Sequence, residues 1–334
     1  MADHNPQHEA FLSVGSSGDL VRDLHHRLSL AGFEVLGDEV TAFSFSSVTE
    51  AQVRVFQSTR RLMEDGIVGP QTLAALVEAS FQLGDRHLYL HVPMMRGDDV
   101  ADLQLRLGVL GFDAGRVDGI FGPDTSRSLL DFQRNIGLPS DGITGVSTVQ
   151  ELHQLAGRSA GSTPVVQVRE LERLRQRRIG LDGRRIALGQ FGACGALATA
   201  ITRSLRALGA NVLLLDHPEE SNQAEIANRF EAELYLGLRV KNDSQSSLAF
   251  FATEGFHSEG GRQLASFCAT NLTPLNQAEP KLHGMRLPAL RRTRMPAVLC
   301  LLGPPSLVVQ STAELAEAFS LAITTWMTNP EETP

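Results

Sequence analysis

An eight-residue pattern, Asp-Gly-x-x-Gly-x-x-Thr, occurs three times in this chain of 334 residues and constrains its fold more than any other feature. The copies occupy residues 65–72, 118–125 and 141–148. Asp-Gly is typical of a tight turn, and the second glycine tolerates a positive φ. In the first two copies proline follows that glycine, at a helix position where its missing N–H costs nothing. Each copy therefore predicts a turn that leads into a helix.

The repeated unit is longer than the turn. Residues 18–33 align with residues 97–112, and their apolar side chains follow the i, i+3, i+7 spacing of one helix face. Phe56-Gln57 aligns with Phe132-Gln133. We expect two all-α units of three short helices each, over residues 11–82 and 93–156. Units of this size bury little core, so we expect them to pack against each other.

The second unit resembles the peptidoglycan-binding module of bacterial cell-wall hydrolases. The matching motifs are G-D-x-V-x-x-L-Q-x-R-L-x-x-L-G-F at 97–112, V-D-G-x-F-G-P-x-T at 117–125, F-Q at 132–133 and D-G-I-x-G at 141–145. The resemblance implies ligand contacts from five residues: Asp118, Gly119, Phe121, Asp141 and Gly142. The alternative interpretation is that both units are helical spacers built from stable turns.

The first unit departs from this motif. Where V-D-G-x-F-G-P is expected, residues 42–48 have the sequence A-F-S-F-S-S-V. We therefore expect a degenerate first module, and the loss puts glycan or peptide binding by this module in doubt.

Composition and charge exclude several functions. The net charge of −8 argues against a nucleic-acid-binding protein, which would carry a basic surplus. The N-terminal residues lack the basic and apolar segments of a signal peptide. The sequence contains no run of about 18 apolar residues, which is the length needed to span a membrane. Cys194, Cys268 and Cys300 are scattered, which fits buried thiols in a reducing compartment. We expect a cytoplasmic protein that does not span the membrane.

Residues 157–183 change in character. They begin with a Gly-, Ser-, Thr- and Pro-rich linker and continue as a basic, helix-compatible stretch that includes Arg169 and Arg173. One interpretation is a solvated helix face. The other is a docking surface for an acidic partner.

From residue 184 to 329 strands and helices alternate. We expect strands at 185–188, 211–215, 234–240, 248–252 and 297–302, and helices at 196–208, 221–230, 258–270 and 311–327. Ser221 is expected to cap the second of these helices. Such alternation predicts an α/β domain with a mainly parallel, twisted sheet covered on both faces.

This region resembles the zinc-dependent N-acetylmuramoyl-L-alanine amidases. The similar segments are A-N at 227–228 followed by A-E-L-Y-L at 232–236, L-R-R-T at 290–293, and P-A-V-L at 296–299 followed by L-G at 302–303. The resemblance implies that an active member needs two histidines and a glutamate on zinc, together with a catalytic glutamate. The metal would lower the pKa of a bound water, and the carboxylate would handle its proton.

These positions are vacated in this chain. The first histidine position falls on Phe191 or Gly192, the second on Arg239, and the catalytic glutamate position on Leu301. No glutamate occurs between residues 183 and 211, where the remaining ligand is expected. We therefore predict a pseudoenzyme with no metal and no cofactor. An active zinc amidase remains the alternative.

The order of two peptidoglycan-binding-like modules and an amidase-like domain resembles a group of cytoplasmic actinobacterial amidase homologues. That resemblance implies a regulator of peptidoglycan precursor synthesis that contacts the UDP-N-acetylglucosamine enolpyruvyl transferase of the first committed step. It also implies links to a Ser/Thr kinase, a phosphopeptide-binding protein and the lipid precursor flippase. A module that binds peptidoglycan or a precursor is a third possibility.

Overall fold

We describe a computed structural model that covers residues 11–158, 163–275 and 279–328. The chain divides into two compact units between Val166 and Gln167. Residues 159–162 of the predicted linker, and residue 329 of the predicted amidase-like domain, lie outside the described residues. No helix within the described ranges is long and apolar enough to span a membrane.

The N-terminal unit contains the two predicted helical modules. The first is formed by α1 (Asp19–Leu30), α2 (Asp38–Ala42), α3 (Ser47–Thr59) and α4 (Pro70–Ala79), and the second by α5 (Asp98–Val109), α6 (Pro123–Asn135) and α7 (Val146–Arg158). Each module has its own apolar core. Phe33 and Phe56 meet edge to face at 5.4 Å, and Phe112 and Phe132 repeat that arrangement at 5.5 Å.

The first module differs from the predicted three-helix plan by one short helix. α2 ends at Ala42, where the segment that departs from the motif begins, and the next residue, Phe43, takes the left-handed conformation. An ion pair then joins the two modules, since Arg60 Nη1 lies 2.5 Å from Asp98 Oδ2.

The C-terminal unit is the predicted α/β domain. Its helices are α8 (Val165–Arg175, from Gln167 onward), α9 (Gly195–Ala207), α10 (Glu220–Arg229), α11 (Glu259–Leu272), α12 (Pro288–Arg292), α13 (Pro305–Gln310) and α14 (Thr312–Thr328). Its strands are β1 (Arg185–Phe191), β2 (Asn211–Leu215), β3 (Leu234–Val240), β4 (Ser247–Thr253), β5 (Phe256–His257), β6 (Lys281–Met285) and β7 (Ala297–Leu302).

The sheet is mainly parallel, as predicted. Strands β2, β1, β3 and β7 are adjacent and parallel in that order. β4 runs antiparallel to β7 and pairs in parallel with β6, a strand that the sequence pattern did not reveal. Lys281 and His283 of β6 are exposed, so this strand lacks the apolar run of a buried one.

Alternate residues of β3 face opposite sides of the sheet. Leu234, Leu236 and Leu238 enter the large core formed with α9, α11 and α14. Tyr235 and Arg239 lie on the other side, where their partners belong to α10. Cys194, Cys268 and Cys300 are buried free thiols in the large core, as the sequence predicted.

The basic helix α8 belongs to the C-terminal unit rather than to a free linker. Glu170 accepts hydrogen bonds from Ser258 Oγ at 2.7 Å and from the backbone N–H groups of Glu259 and Gly260 at 3.2 Å. Its carboxylate therefore caps the N-terminus of α11. Leu174 of α8 is buried in the large core.

The predicted cap at Ser221 is wrong. α10 begins at Glu220, its N-cap residue is Glu219, and no side chain caps it. Asp and Glu near a helix N-terminus interact favourably with the helix dipole without forming the side-chain bond of a cap.

Candidate functional sites

Each Asp-Gly-x-x-Gly-x-x-Thr turn is held by a buried glutamine from the preceding helix. Gln133 Nε2 donates to Asp141 Oδ1 at 2.9 Å, to the carbonyl of Ile143 at 3.0 Å and to Thr148 Oγ1 at 3.3 Å. Its Oε1 accepts from the N–H of Gly142 at 2.9 Å. One side chain thus satisfies the first Gly, the Asp and the Thr of the motif.

The other two turns repeat this arrangement. Gln57 makes the same contacts at the 65–72 turn, and Gln104 makes them at the 118–125 turn. We call this arrangement the glutamine clamp. The leucine-glutamine and phenylalanine-glutamine pairs were visible in the sequence, but only the fold reveals why the glutamine accompanies the turn.

The five predicted ligand residues of the second module have structural partners. Asp118 and Asp141 accept from the N–H groups of Ile120 and Ile143, both at 2.9 Å. The bond from the Ile143 N–H, followed by the bond from Gln133, lowers the pKa of the Asp141 carboxyl. Gly119 and Gly142 take positive φ angles of 70° and 71°, which the turns require.

The fifth residue, Phe121, is fully buried in the core of the second module. Its ring therefore packs the module, and no ligand can reach it without opening that core. Ligand binding by the other four residues stays a prediction.

The degenerate turn of the first module uses a different set of side chains. His25 takes the helix position of Gln104, and its Nε2 lies 2.9 Å from Thr49 Oγ1. Glu39 accepts from the N–H groups of Val48 and Thr49 at 3.2 and 3.0 Å, and from the hydroxyl of Ser46. Glu39 therefore holds the start of α3 where the usual turn is missing.

The second module exposes four apolar side chains beside its two turns. Tyr89, Leu90, Val92 and Met94 are 45%, 44%, 96% and 46% exposed. We call them the apolar strip. Their segment runs from Leu88, which bridges to Thr144, to Arg96, which bridges to Ile120. The corresponding segment of the first module, between the bridges at Leu12 and Ser17, is three residues shorter.

The vacated amidase positions meet at the carboxyl end of the sheet. Phe191 on β1 is in register with Arg239 on β3, and Arg239 is in register with Leu301 on β7. Gly192 follows β1 directly and has a φ of 80°. Ligands of open α/β sheets bind at this end of the strands. The structure thus brings all four predicted positions together.

Arg239 occupies the centre of this group. Its Nη2 lies 2.8 Å from Glu220 Oε1, and its guanidinium carbon lies 4.7 Å from the centre of the Phe191 ring. The other oxygen of Glu220 accepts from the N–H of Ala289 at 3.1 Å. A fixed cation, a buried carboxylate and an aromatic ring therefore fill the centre.

A polar network continues below Arg239 towards the middle of the sheet. The hydroxyl of Tyr235 donates to Gln223 Oε1 at 3.0 Å, and Gln223 Nε2 donates to the carbonyls of Gln190 and His217 at 3.0 and 2.7 Å. Burial raises the pKa of the Tyr235 hydroxyl, so it stays protonated and donates. Gly189 makes room for this network, because a Cβ there would lie 2.0 Å from Gln223 Oε1.

The side chains at these positions do not fit a zinc ion. Zinc takes nitrogen, sulfur or oxygen ligands, and neither Phe191 nor Leu301 offers one. Arg239 would place a positive charge against the metal. Among the described residues, no cluster of three or more His, Cys, Asp or Glu side chains could hold a metal ion.

Sequence reasoning missed Glu220, which is the partner of Arg239. The sequence shows only a carboxylate near the start of a predicted helix. Its burial and its pairing with Arg239, which is 19 residues away on β3, are visible only in the fold. Arg169 and Arg173, the predicted docking residues, are exposed on α8.

Comparison with known proteins identifies both parts of the chain. A family model described as "Putative peptidoglycan binding domain" matches residues 17–76 and 96–152. The chain is 35% identical to the N-acetylmuramoyl-L-alanine amidase CwlM of Mycobacterium tuberculosis, over 78% of this chain and 72% of that protein. It is 32% identical to the N-acetylmuramoyl-L-alanine amidase CwlL of Bacillus licheniformis, over 43% of this chain and 45% of that protein.

Among solved structures, the chain is similar to the N-acetylmuramyl-L-alanine amidase Ami1 of Mycobacterium smegmatis. The match has a TM-score of 0.38 and 13% identity, and it covers 44% of this chain and 98% of that one.

Proposed function

Because the chain belongs to the N-acetylmuramoyl-L-alanine amidase family, in its CwlM-like branch, we propose that it is a non-catalytic regulator of peptidoglycan precursor synthesis. The observation that carries the proposal is the side-chain group Phe191, Arg239 and Leu301 on three adjacent strands. An amidase centre would need metal ligands and a carboxylate there.

The argument depends on what each side chain can do. Zinc catalysis requires about three protein ligands and one open position for water. Arg239 can only donate hydrogen bonds, and its charge is already balanced by the buried Glu220. Leu301 cannot take a proton from a water molecule. Loss of such a proton-transfer residue alone costs roughly 10²–10⁴ in rate.

We propose that the regulator acts through protein contacts with the UDP-N-acetylglucosamine enolpyruvyl transferase, in the cytoplasm. A Ser/Thr kinase, a phosphopeptide-binding protein and the lipid precursor flippase are further proposed partners. The support is the resemblance of the whole domain order to the actinobacterial homologues. The retained scaffold gives such a protein a rigid surface even where the amidase chemistry is lost.

Two measurements test the non-catalytic part. Elemental analysis of the purified full chain should find zinc far below one ion per molecule. Incubation with purified muropeptides and added zinc should release no stem peptide, while CwlL under the same conditions serves as the active reference. Stoichiometric zinc together with peptide release would overturn the proposal in favour of an active amidase.

A third measurement tests the partner. Purified enolpyruvyl transferase should bind the full chain in calorimetry, and its turnover should change when the chain is added in excess. An unrelated chain of similar charge is the control. Absence of both binding and any change in turnover would reject this partner and leave the non-catalytic assignment to the zinc and muropeptide assays.

Binding of peptidoglycan or a precursor by the second module is the other candidate function. The apolar strip favours it, because Tyr89 and Met94 lie beside the two turns of the second module, and the first module, which the same family model matches, has a shorter segment there. Sugar rings and stem peptides present apolar faces to such side chains. Sedimentation with insoluble peptidoglycan should retain the chain, and Tyr89→Ser with Val92→Ser should release it.

The first module provides the control for that experiment. Val14→Ser with Leu36→Ser removes two exposed apolar side chains from the degenerate module. This control should leave sedimentation unchanged. Equal loss in both variants would show that adhesion is nonspecific.

A further inference from the structure

We propose that Arg177, Arg184 and Trp326 form a carboxylate-binding site, and that its occupant is the acidic pair Glu331-Glu332 of the same chain. The site lies in the C-terminal unit, where the last turn of α14 meets the segment that follows α8. We call these three residues the donor corner. The proposal goes beyond the regulatory function and does not depend on it.

The donor corner is built around the last turn of α14. The Arg177 guanidinium stacks on the Trp326 ring, with its carbon 3.9 Å from the ring centre, and its Nη2 donates to the Trp326 carbonyl. Arg184 Nη2 lies 3.0 Å from Glu233 Oε2 and 3.4 Å from Met327 Sδ. The two arginines therefore contact neighbouring residues of the same turn.

Four N–H groups of the donor corner are buried without a hydrogen-bond partner among the described residues. They belong to Nε and Nη1 of Arg177, Nε of Arg184 and Nε1 of Trp326. Arg184 and Trp326 are only 6% and 2% exposed. These groups can only donate, and a buried donor without an acceptor is costly. The described part of the chain thus supplies no acceptor for them.

The donor corner also carries a surplus positive charge. Arg184 is balanced by Glu233, whereas Arg177 has no carboxylate within 4.0 Å among the residues that the structure describes. Burial, and less strongly the charge of Arg184, lower the pKa of Arg177 from 12.5 to about 10, so it stays charged at neutral pH. Stacking on Trp326 stabilises a cation but offers no hydrogen-bond acceptor. A carboxylate would supply both the acceptor and the negative charge.

The sequence narrows the source of that carboxylate to one pair. Of residues 167–334, which form the C-terminal unit, only 276–278 and 329–334 lie outside the described ranges. The first segment has the sequence Asn-Gln-Ala, and the second has Asn-Pro-Glu-Glu-Thr-Pro. Glu331 and Glu332 are therefore the only acidic side chains of the two segments.

The position of the acidic pair in the sequence suits this role. α14 ends at Thr328, and Pro330 cannot donate the backbone hydrogen bond that would continue the helix. Glu331 follows Thr328 by three residues, which span at most about 10 Å. A carboxylate beside the C-terminus of a helix is unfavourable unless a cation balances it. Arg177 is such a cation, and it contacts the last turn of α14.

The first test follows the acidic pair by limited proteolysis of the full chain with a glutamyl endopeptidase, which cleaves after glutamate. Mass spectrometry measures the rate of cleavage after Glu331 and Glu332. Arg177→Gln should raise this rate about tenfold or more, because it removes a charged hydrogen-bond donor. Arg178→Gln removes the same charge from the exposed neighbouring residue and should leave the rate unchanged.

The second test uses Trp326, which is the only tryptophan of the chain. In the full-length variant Glu331→Gln/Glu332→Gln, the acrylamide quenching constant of its fluorescence should rise about twofold or more, because the corner opens locally. Glu314→Gln/Glu317→Gln removes the same charge from exposed positions of α14 and should leave quenching unchanged. Both variants retain Arg177 and its stacking, so this test does not depend on the fold of an altered corner.

Three outcomes would overturn the inference. The first is equally fast cleavage of the acidic pair in the unchanged chain and in Arg177→Gln. The second is an equal rise in quenching in the two glutamine variants. The third is full protection of Trp326 in Glu331→Gln/Glu332→Gln by added sodium phosphate, which would assign the donors to a free oxyanion. None of these results depends on the enolpyruvyl transferase or on zinc.

Discussion

Arg239 Nη2 lies 2.8 Å from Glu220 Oε1, and the glutamate side chain is only 5% exposed. The arginine stands at a position where the resemblance to active amidases implies a histidine ligand. A buried carboxylate is costly unless it is paired, so Glu220 and Arg239 depend on each other. At the edge of the sheet where the resemblance implies a metal site, the two side chains therefore form an ion pair that balances its own charge.

We predict that Glu220→Gln lowers the free energy of unfolding by about 1–3 kcal/mol, because it removes the charge that balances Arg239. Urea unfolding of the full chain measures the effect. Glu225→Gln breaks the more exposed pair with Arg292 and should cost less than about 0.5 kcal/mol. If the two variants lost similar amounts of unfolding free energy, the buried pair of Glu220 would be no more stabilising than the exposed pair of Glu225.

Gly189→Ala should destabilise the C-terminal unit by roughly 3 kcal/mol, because the new Cβ would overlap Gln223 and lie 2.5 Å from the Tyr235 hydroxyl. Thermal unfolding measures this change. The control is Gly195→Ala at the start of α9, where a Cβ meets no atom within 4 Å. That substitution should stabilise the chain by up to about 1 kcal/mol. An unchanged unfolding temperature in Gly189→Ala would mean that Gln223 and Tyr235 can move aside without loss of stability.

Gln133→Ala should destabilise the second module by about 2–3 kcal/mol, because it leaves the buried N–H of Gly142 without its acceptor. Hydrogen exchange of the amides in α6 and α7 should accelerate. Gln150 on α7 is exposed, so Gln150→Ala is the control and should leave exchange unchanged. Unchanged hydrogen exchange in Gln133→Ala would show that the glutamine clamp contributes little to the stability of the second module.

The first module should lose stability in acid in two steps. Burial lowers the pKa of His25 below 6.5, more than nearby Glu39 raises it. The unfolded state therefore binds this proton more readily, so the histidine contribution is complete above pH 6.5 and falls as pH drops towards the folded pKa. His25→Gln should remove this step, whereas His26→Gln at an exposed position should retain it.

The second step belongs to Glu39. Burial raises its pKa, but hydrogen bonds from Ser46 and Thr49 outweigh that effect and lower the pKa from 4.5 to about 2. The stabilisation is present above pH 4.5 and is lost as pH falls to about 2. Urea unfolding at several pH values, followed through the first module, measures both steps. A Glu39→Gln variant with the same acid profile as the unchanged chain would contradict this assignment.

The sequence by itself determined most of the elements and their order. Turn chemistry placed the helices of both modules, because Asp-Gly, Gly-Pro and the apolar spacing act over a few neighbouring residues. The strands at 211–215, 234–240 and 297–302 were predicted at their observed bounds, since most of their residues are apolar. β6 escaped prediction because it has no apolar run.

Only the tertiary structure decided how those elements cooperate. The register of three strands brings Phe191, Arg239 and Leu301 together, and the packing of α10 supplies Glu220. The glutamine clamps and the anchoring of α8 likewise join residues that are distant in sequence. Such contacts depend on orientation and burial, which follow from the packed chain and not from local sequence pattern.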